Sequence, residues 1–302
     1  VTSVPVPEEL GQPFAFGREA DVYSLGDGTV LRRYREGGDT EPEALIMRHV
    51  GSHGFPVPRV FAAGGADLVL ERLDGPTMAA LLLSGAMAME DGAAILADLL
   101  RRLHALPPLG GNTQPMGAAA SDSAQPTSTA ADDSAQPTST AADDCARPVG
   151  PVAGGSAQPV SPTAGDSARP VGGDVPSAGD GMWSLGEGGP SVLHLDLHPE
   201  NVVITADGPV VIDWRNARNG EPDLDTAFTA LILAQVATGA IQHPTHEQVG
   251  AMLDVFLRLA PGDPVRLLDQ VVEMRSRQVT MSVGEVNMLP LAAARVRQGV
   301  GK

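Results

Sequence analysis

The 302-residue chain has one cysteine, Cys145, which excludes an internal disulfide and any cysteine-rich metal site and fits a reducing compartment. Aromatic residues make up only 3%, so the core must rest on Leu, Val, Ile, Ala and Met. With 42% hydrophobic residues, the chain can still build one sizeable domain or two lobes. Basic residues are few: 20 Lys and Arg stand against 37 Asp and Glu, a formal net charge of −17. That balance argues against nucleic acid as a partner, because a phosphate backbone demands a basic face. An acidic body favours a cationic substrate, although the charge also serves solubility alone. No apolar run is long enough for a membrane span. The longest, Ala227 to Ile241, is interrupted by Thr229, Gln235 and Thr238 and reads as a buried helix. Val1 to Leu10 shows no basic stretch followed by an apolar one, so no signal peptide is evident and a soluble cytoplasmic protein is expected.

What is present is concentrated in one stretch. Leu193-His194-Leu195-Asp196-Leu197-His198-Pro199-Glu200-Asn201 is followed by Ile212-Asp213-Trp214. Between them lie two β-branched runs, Val202 to Thr205 and Val210 to Ile212, separated by Ala206-Asp207-Gly208-Pro209, which carries turn chemistry. An antiparallel hairpin sets the start of its first strand beside the end of its second. Asn201 and Asp213 are therefore expected to meet at one end of it, with Asp196 on the loop leading in. Phosphoryl transfer needs a carboxylate to receive a hydroxyl proton and oxygen ligands to hold a metal on the phosphates. An Asp, an Asn and a second Asp at this spacing meet that need.

On these residues the chain resembles the aminoglycoside phosphotransferase and choline kinase family, whose pattern is His-x-Asp, four residues, Asn, then a hairpin and Ile-Asp. The resemblance implies an α+β, two-lobed protein-kinase-like fold, with a strand-rich N-terminal lobe and a mainly helical C-terminal lobe. It implies that Asp196 is the catalytic base, that Asn201 and Asp213 bind Mg²⁺, and that His194 packs and hydrogen-bonds within the loop. Asp225, in Glu-Pro-Asp-Leu-Asp-Thr-Ala, resembles the acid that braces the catalytic loop, while Asp223 favours a helix N-terminus. His198 either orients the loop or approaches substrate. His104, at the end of an apolar-striped helix, reads as structural, and Met252, Leu253, Phe256 and Leu257 read as core.

The first part of the chain reads as the nucleotide lobe. Strand-like runs from Asp21 to Leu25 and from Thr29 to Tyr34 flank the turn Gly26-Asp27-Gly28, and a helix opens at Thr40-Glu41-Pro42-Glu43. A further strand covers Asp67 to Arg72. By resemblance, Arg32 takes the place of the basic residue that contacts the α- and β-phosphates, with Arg33 as its rival. A lysine is the family's residue there. Arginine keeps the charge but differs in reach and hydrogen-bonding geometry. Glu43 is the helix glutamate that would pair with it, unless it closes a capping box with Thr40 instead. Leu70 to Gly75 resembles the hinge that receives adenine, through the Glu71 carbonyl and the Leu73 N–H. Gly17 to Ala20 lacks a full Gly-x-Gly-x-x-Gly, so a phosphate-covering loop is weakly drawn.

Pro115, Pro126, Pro137, Pro148, Pro159 and Pro170 recur every eleven residues, inside units such as Asp-Ser-Ala-Gln-Pro-Thr-Ser-Thr-Ala-Ala-Asp. A proline in each unit and the lack of an apolar stripe exclude a right-handed coiled coil. Such a composition cannot bury enough apolar surface to offset the entropy of ordering, so a disordered insert over 110–190 is expected. It would separate a lobe at 1–73 and a segment at 74–109 from a region at 191–302 that carries the catalytic loop, the metal hairpin and helices near 222–241, 246–260 and 264–282. The expected activity is transfer of the γ-phosphate of ATP, with GTP as the alternative nucleotide, to a hydroxyl of a small molecule such as a cationic amino sugar or antibiotic. A nucleotide-binding pseudokinase or scaffold without turnover is the competing reading.

Overall fold

A computed structural model describes residues 10–17, 19–110, 189–241, 246–278 and 281–300. They belong to one unit, Val1–Thr113 with Ala178–Lys302. The eleven-residue repeat lies outside the described residues. The chain first lays down β1 (Ala15–Phe16), β2 (Ala20–Gly26) and β3 (Thr29–Tyr34). Gly26, Asp27 and Gly28 all take positive φ, at 83°, 48° and 71°, so glycine is needed at two of the three turn positions. Helix α1 (Glu41–Ser52) then crosses to β4 (Val60–Gly64) and β5 (Asp67–Glu71), giving an antiparallel sheet of order β1-β2-β3-β5-β4. Its core comes from alternate strand positions and one helix stripe: Val30, Leu68 and Leu70 with Ala44, Ile46, Met47 and Val50.

Thr40 does not close a capping box. Its hydroxyl donates to the Asp67 carbonyl at 2.8 Å and accepts from the Gly64 N–H at 3.1 Å, tying α1 to the β4–β5 turn. Glu43 is thereby left for other partners.

The second part is helical: α2 (Met78–Ser84), α3 (Met89–His104), α4 (Pro222–Ala237), α5 (His246–Leu259), α6 (Leu268–Ser276) and α7 (Val283–Gly299). Helix α3 buries Leu96, Leu99, Leu100 and Leu103 and leaves Glu90, Asp98, Arg101 and Arg102 outside. Helix α4 is different, because every residue from Leu224 to Gln235 is buried. A helix without a polar face belongs at the centre of a lobe, and α4 packs against α5, α6 and α7. Phe228, Leu231 and Ile232 are each almost wholly withdrawn from water, at roughly 1.5–3 kcal/mol of transfer free energy apiece. Among the described residues no helix is long and apolar enough to cross a membrane.

The segment between α3 and α4 is small but decisive. β6 (Ser191–Leu193) pairs with β9 (Arg218–Gly220), and β7 (Val202–Thr205) pairs with β8 (Gly208–Val211). The hairpin turn is shorter than expected, since Gly208 and Pro209 already belong to β8. The linker from the first lobe joins this hairpin. The Ile204 N–H donates to the Pro76 carbonyl at 2.9 Å, and Thr77 bridges Val203. A Cβ at Gly75 would stand 2.1 Å from the Ile204 carbonyl oxygen, so no larger residue fits. Strand-rich first lobe and helical second lobe make the two-lobed α+β arrangement of the protein-kinase-like fold.

Candidate active site

The loop from β6 to β7 is built around a buried acid. Asp225, in the first turn of α4, has no exposure. Its Oδ2 accepts from the His194 N–H at 2.9 Å and its Oδ1 from the Leu195 N–H at 2.7 Å. His104 Nε2 donates to the same carboxylate at 3.2 Å. Leu195 has φ 61°, a left-handed conformation that disfavours a branched side chain, and the Asp225 bonds hold it there. Burial pushes the Asp225 carboxyl up, but the His104 and His194 bonds outweigh it and hold the pKa below the ordinary value. His194, also buried, accepts from the Asp196 N–H at Nδ1 (3.2 Å) and lies 3.1 Å from the Ile212 carbonyl at Nε2. Both bonds are satisfied by the Nε2–H tautomer. The loop is thereby fastened to the far strand of the hairpin.

Asn201 closes the short 3₁₀ turn Pro199–Asn201. Its amide nitrogen donates to the Asp196 carbonyl at 2.9 Å and stands 3.2 Å from His198 Nε2 and 3.4 Å from Asp196 Oδ2. Burial, with Arg275 and His194 nearby, lowers the His198 pKa to about 4, so at neutral pH its ring is uncharged and able to accept. With the nitrogen engaged, the amide oxygen of Asn201 is the atom left for a cation. The Ile212 N–H donates to the Asn201 carbonyl at 3.0 Å, which places Asp213 at the same end of the hairpin. Asp213 has φ 66°.

The first lobe supplies a cation to this end. Arg32 Nη2 donates to Asp213 Oδ1 at 2.5 Å, while Nη1 donates to Glu43 Oε1 at 2.8 Å. Glu43 also accepts from the Tyr34 hydroxyl at 2.6 Å and the Trp214 N–H at 3.1 Å. Burial pushes the Glu43 carboxyl up against the pull of Arg32 and Tyr34, and its pKa ends above the ordinary value. For Asp213, burial is outweighed by Arg32 and the two histidines, so it stays ionised. Burial would lower the Arg32 pKa, yet Asp213 and Glu43 raise it, so the guanidinium stays charged. Arg33, on the other strand face, forms a two-pronged pair with Asp67 at 2.7 and 2.8 Å. The fully buried Trp214 meets Phe55 and His194 edge-on at 5.6 and 4.8 Å, filling the junction of the lobes.

Glu71 ends β5, and its side chain accepts from the Arg59 N–H at 3.1 Å, leaving backbone chemistry for any hinge role. The Leu73 N–H carries no hydrogen bond among the described residues. Gly17 donates to the Ala20 carbonyl at 2.8 Å across the turn from β1 to β2. One residue escaped the sequence reading. Arg275, on α6, is buried and its Nη1 stands 3.4 Å from Asp196 Oδ1. An arginine at the end of an amphipathic helix looks like any solvated charge, and no local pattern marks it.

Among the described residues no group of three His, Cys, Asp or Glu side chains gathers as a metal cage. One carboxylate and one amide oxygen suit Mg²⁺, which keeps several waters and takes substrate phosphates as further ligands.

The profile of the phosphotransferase enzyme family matches residues 11–252. No curated protein matches the chain. Among solved structures, an aminoglycoside phosphotransferase mutant in complex with ADP and hygromycin B is similar over 98% of this chain and 95% of its own, at 14% identity and TM-score 0.40. An amicoumacin kinase covers 97% and 89% at 12% identity and TM-score 0.44. The ethanolamine kinase of Plasmodium vivax covers 96% and 77% at 11% identity and TM-score 0.42.

Proposed function

The chain belongs to the phosphotransferase enzyme family, and from that premise we propose that it moves the γ-phosphate of ATP to a hydroxyl of a small molecule, with Mg²⁺ as cofactor. One observation carries the reading: Asp196, Asn201 and Asp213 gather at one end of the β7–β8 hairpin, where Arg32 reaches Asp213 from the other lobe. Asn201 and Asp213 would hold the metal, which screens phosphate charge when bound. Arg32 would bind the α- and β-phosphates while Glu43 keeps it in place, and the Glu71 carbonyl and Leu73 N–H would receive the adenine. Asp196 would orient the acceptor and take its proton as the hydroxyl oxygen bonds to the γ-phosphorus and the bond to the β-bridging oxygen breaks, releasing ADP. Positioning and charge then supply most of the rate. The net charge of −17 favours a cationic acceptor, such as an amino sugar or an aminated antibiotic.

A nucleotide-binding protein without turnover is the second reading, and the Arg32–Asp213 pair favours it, since a guanidinium on a metal ligand competes with the metal. Calorimetry with ATP in Mg²⁺ and in EDTA, followed by phosphate transfer to hydroxylated amines, sugars and antibiotics, separates the two. Tighter binding with Mg²⁺ and transfer to one acceptor are expected. Binding without transfer supports the second reading, and no binding at millimolar ATP refutes both.

A further inference from the structure

Arg275 occupies a place that the proposed reaction leaves without a task. It lies 79 residues beyond Asp196, on a helix that supplies no other group to the site described above. It is only 7% exposed. Its Nε donates to Gln235 Oε1 at 3.2 Å, and its Nη1 to Gln278 Oε1 at 2.8 Å and Asp196 Oδ1 at 3.4 Å. The acids of α6 itself are engaged elsewhere, Asp269 with Arg297 and Glu273 with Arg277. Burying a guanidinium is costly, and it persists where its donors are matched.

Gln235 makes the arrangement more specific. It sits on the fully buried face of α4, where a leucine would serve packing better, and its Nε2 has no hydrogen-bond partner among the described residues. An orphaned buried amide needs a reason. Here its oxygen grips Arg275 Nε, so the amide serves the arginine at the expense of its own nitrogen.

We propose that Arg275 is the positioning residue of Asp196, an assignment that rests on the phosphotransferase reading above. Two consequences follow from the contacts. With Oδ1 turned to Arg275, and Oδ2 3.4 Å from Asn201 Nδ2 and 3.9 Å from His198 Nε2, the carboxylate is held in one orientation for an acceptor hydroxyl. The arginine also balances the charge of Asp196, which would otherwise repel the anionic phosphoryl group that must come close to it. Arg275 touches no reacting atom and acts through the aspartate.

The test is a double-mutant cycle on the full chain. Arg275→Met, Arg275→Lys and Gln235→Leu are each made in wild type and in Asp196→Asn, and phosphate release from Mg-ATP is followed with water as acceptor, beside calorimetry of Mg-ATP binding. Arg275→Met is expected to lower kcat about ten- to a hundredfold, as a misplaced reacting group does, with KM for ATP nearly unchanged. Arg275→Lys recovers part of the loss because it keeps the charge without the second prong. In the Asp196→Asn background neither Arg275→Met nor Gln235→Leu costs anything more. Equal fold-losses in both backgrounds, or a loss carried by KM, overturn the assignment. Should Arg275→Met fail to fold, Arg275→Lys and Gln235→Leu decide by the same criterion. Wild type that does not bind Mg-ATP refutes the reaction itself. Wild type that binds Mg-ATP but passes phosphate neither to water nor to any of the hydroxylated acceptors leaves Asp196 no proton to handle and overturns both.

Discussion

Arg32 and Arg275 enter the site from different lobes, and each donates to one of its aspartates, Asp213 at 2.5 Å and Asp196 at 3.4 Å. Their other described partners differ in kind. Arg32 also holds the buried carboxylate of Glu43, whereas Arg275 holds the neutral amides of Gln235 and Gln278. The phosphate side thus sets one cation against two carboxylates and keeps a surplus of negative charge. On the acceptor side Arg275 meets the carboxylate of Asp196. A surplus suits the place where a divalent cation would enter, and a cation on the carboxylate suits the place where a hydroxyl would meet an anionic phosphoryl group. The two aspartates are alike in chemistry and are set apart by what stands behind them.

The contrast breaks most visibly on the aspartates themselves. Asp196→Asn should lower turnover by about 10²–10⁴, the usual contribution of a positioned general base, while leaving Mg-ATP affinity nearly intact. Asp213→Asn should weaken metal-dependent nucleotide binding as well as turnover. Steady-state kinetics beside calorimetry reads both, and matching behaviour of the two variants would abolish the distinction. Next in size is Glu43→Ala. It leaves the Tyr34 hydroxyl and the Trp214 N–H without their acceptor and Arg32 with Asp213 alone, and denaturant melts should show a loss of roughly 3 kcal/mol, as for one broken side of a buried pair.

The acid limb of stability sharpens the comparison further. Asp225 has a depressed folded pKa, so its contribution is complete above the ordinary carboxylate value of about 3.9 and is lost as pH falls through the lower folded value. Glu43 acts in the opposite sense: its raised pKa lets the folded state take up a proton first, which favours folding as pH falls. Urea melts of wild type and Asp225→Asn should therefore converge below pH 4, and a gap that stays constant to pH 3 would remove Asp225 as the cause. The smallest effect is expected at Arg33→Ala. Its pair with Asp67 is half open to solvent, and the change should cost under about 1 kcal/mol and leave Mg-ATP binding intact.

Much of this arrangement is written locally. His194, Asp196, Asn201 and Ile212 bond to one another within a span short enough for a hairpin to close, so strand propensity and turn residues suffice to bring them together. Strand alternation likewise sends Arg32 and Arg33 to opposite faces. What escaped depends on the fold as a whole. Thr40-x-x-Glu43 allows a capping box as well as the expected pairing with Arg32, and only the tertiary demand from Arg32, Tyr34 and Trp214 decides between them. Helix α2 is short, with Thr77 accepting from the Ala80 N–H and Gly85 at φ 74° as its stop. Helix α7 carries Pro290 in its interior, which hides a helix whose start is marked by the Ser282–Glu285 capping box. Arg275 is invisible from sequence because its meaning lies in a partner a quarter of the chain away.

The linker at Gly75 has a mechanical consequence. Because Thr77 bridges Val203 and the Ile204 N–H donates to the Pro76 carbonyl, the chain leaving the first lobe is fastened to the hairpin that carries Asn201 and Asp213. The hairpin is tied to the first lobe a second time, where the Val211 N–H donates to the Pro56 carbonyl at 2.9 Å. On the proposed reading, the metal end of the nucleotide is thus held in a frame that both lobes share. At Gly75 that frame leaves no room for even a methyl group against Ile204.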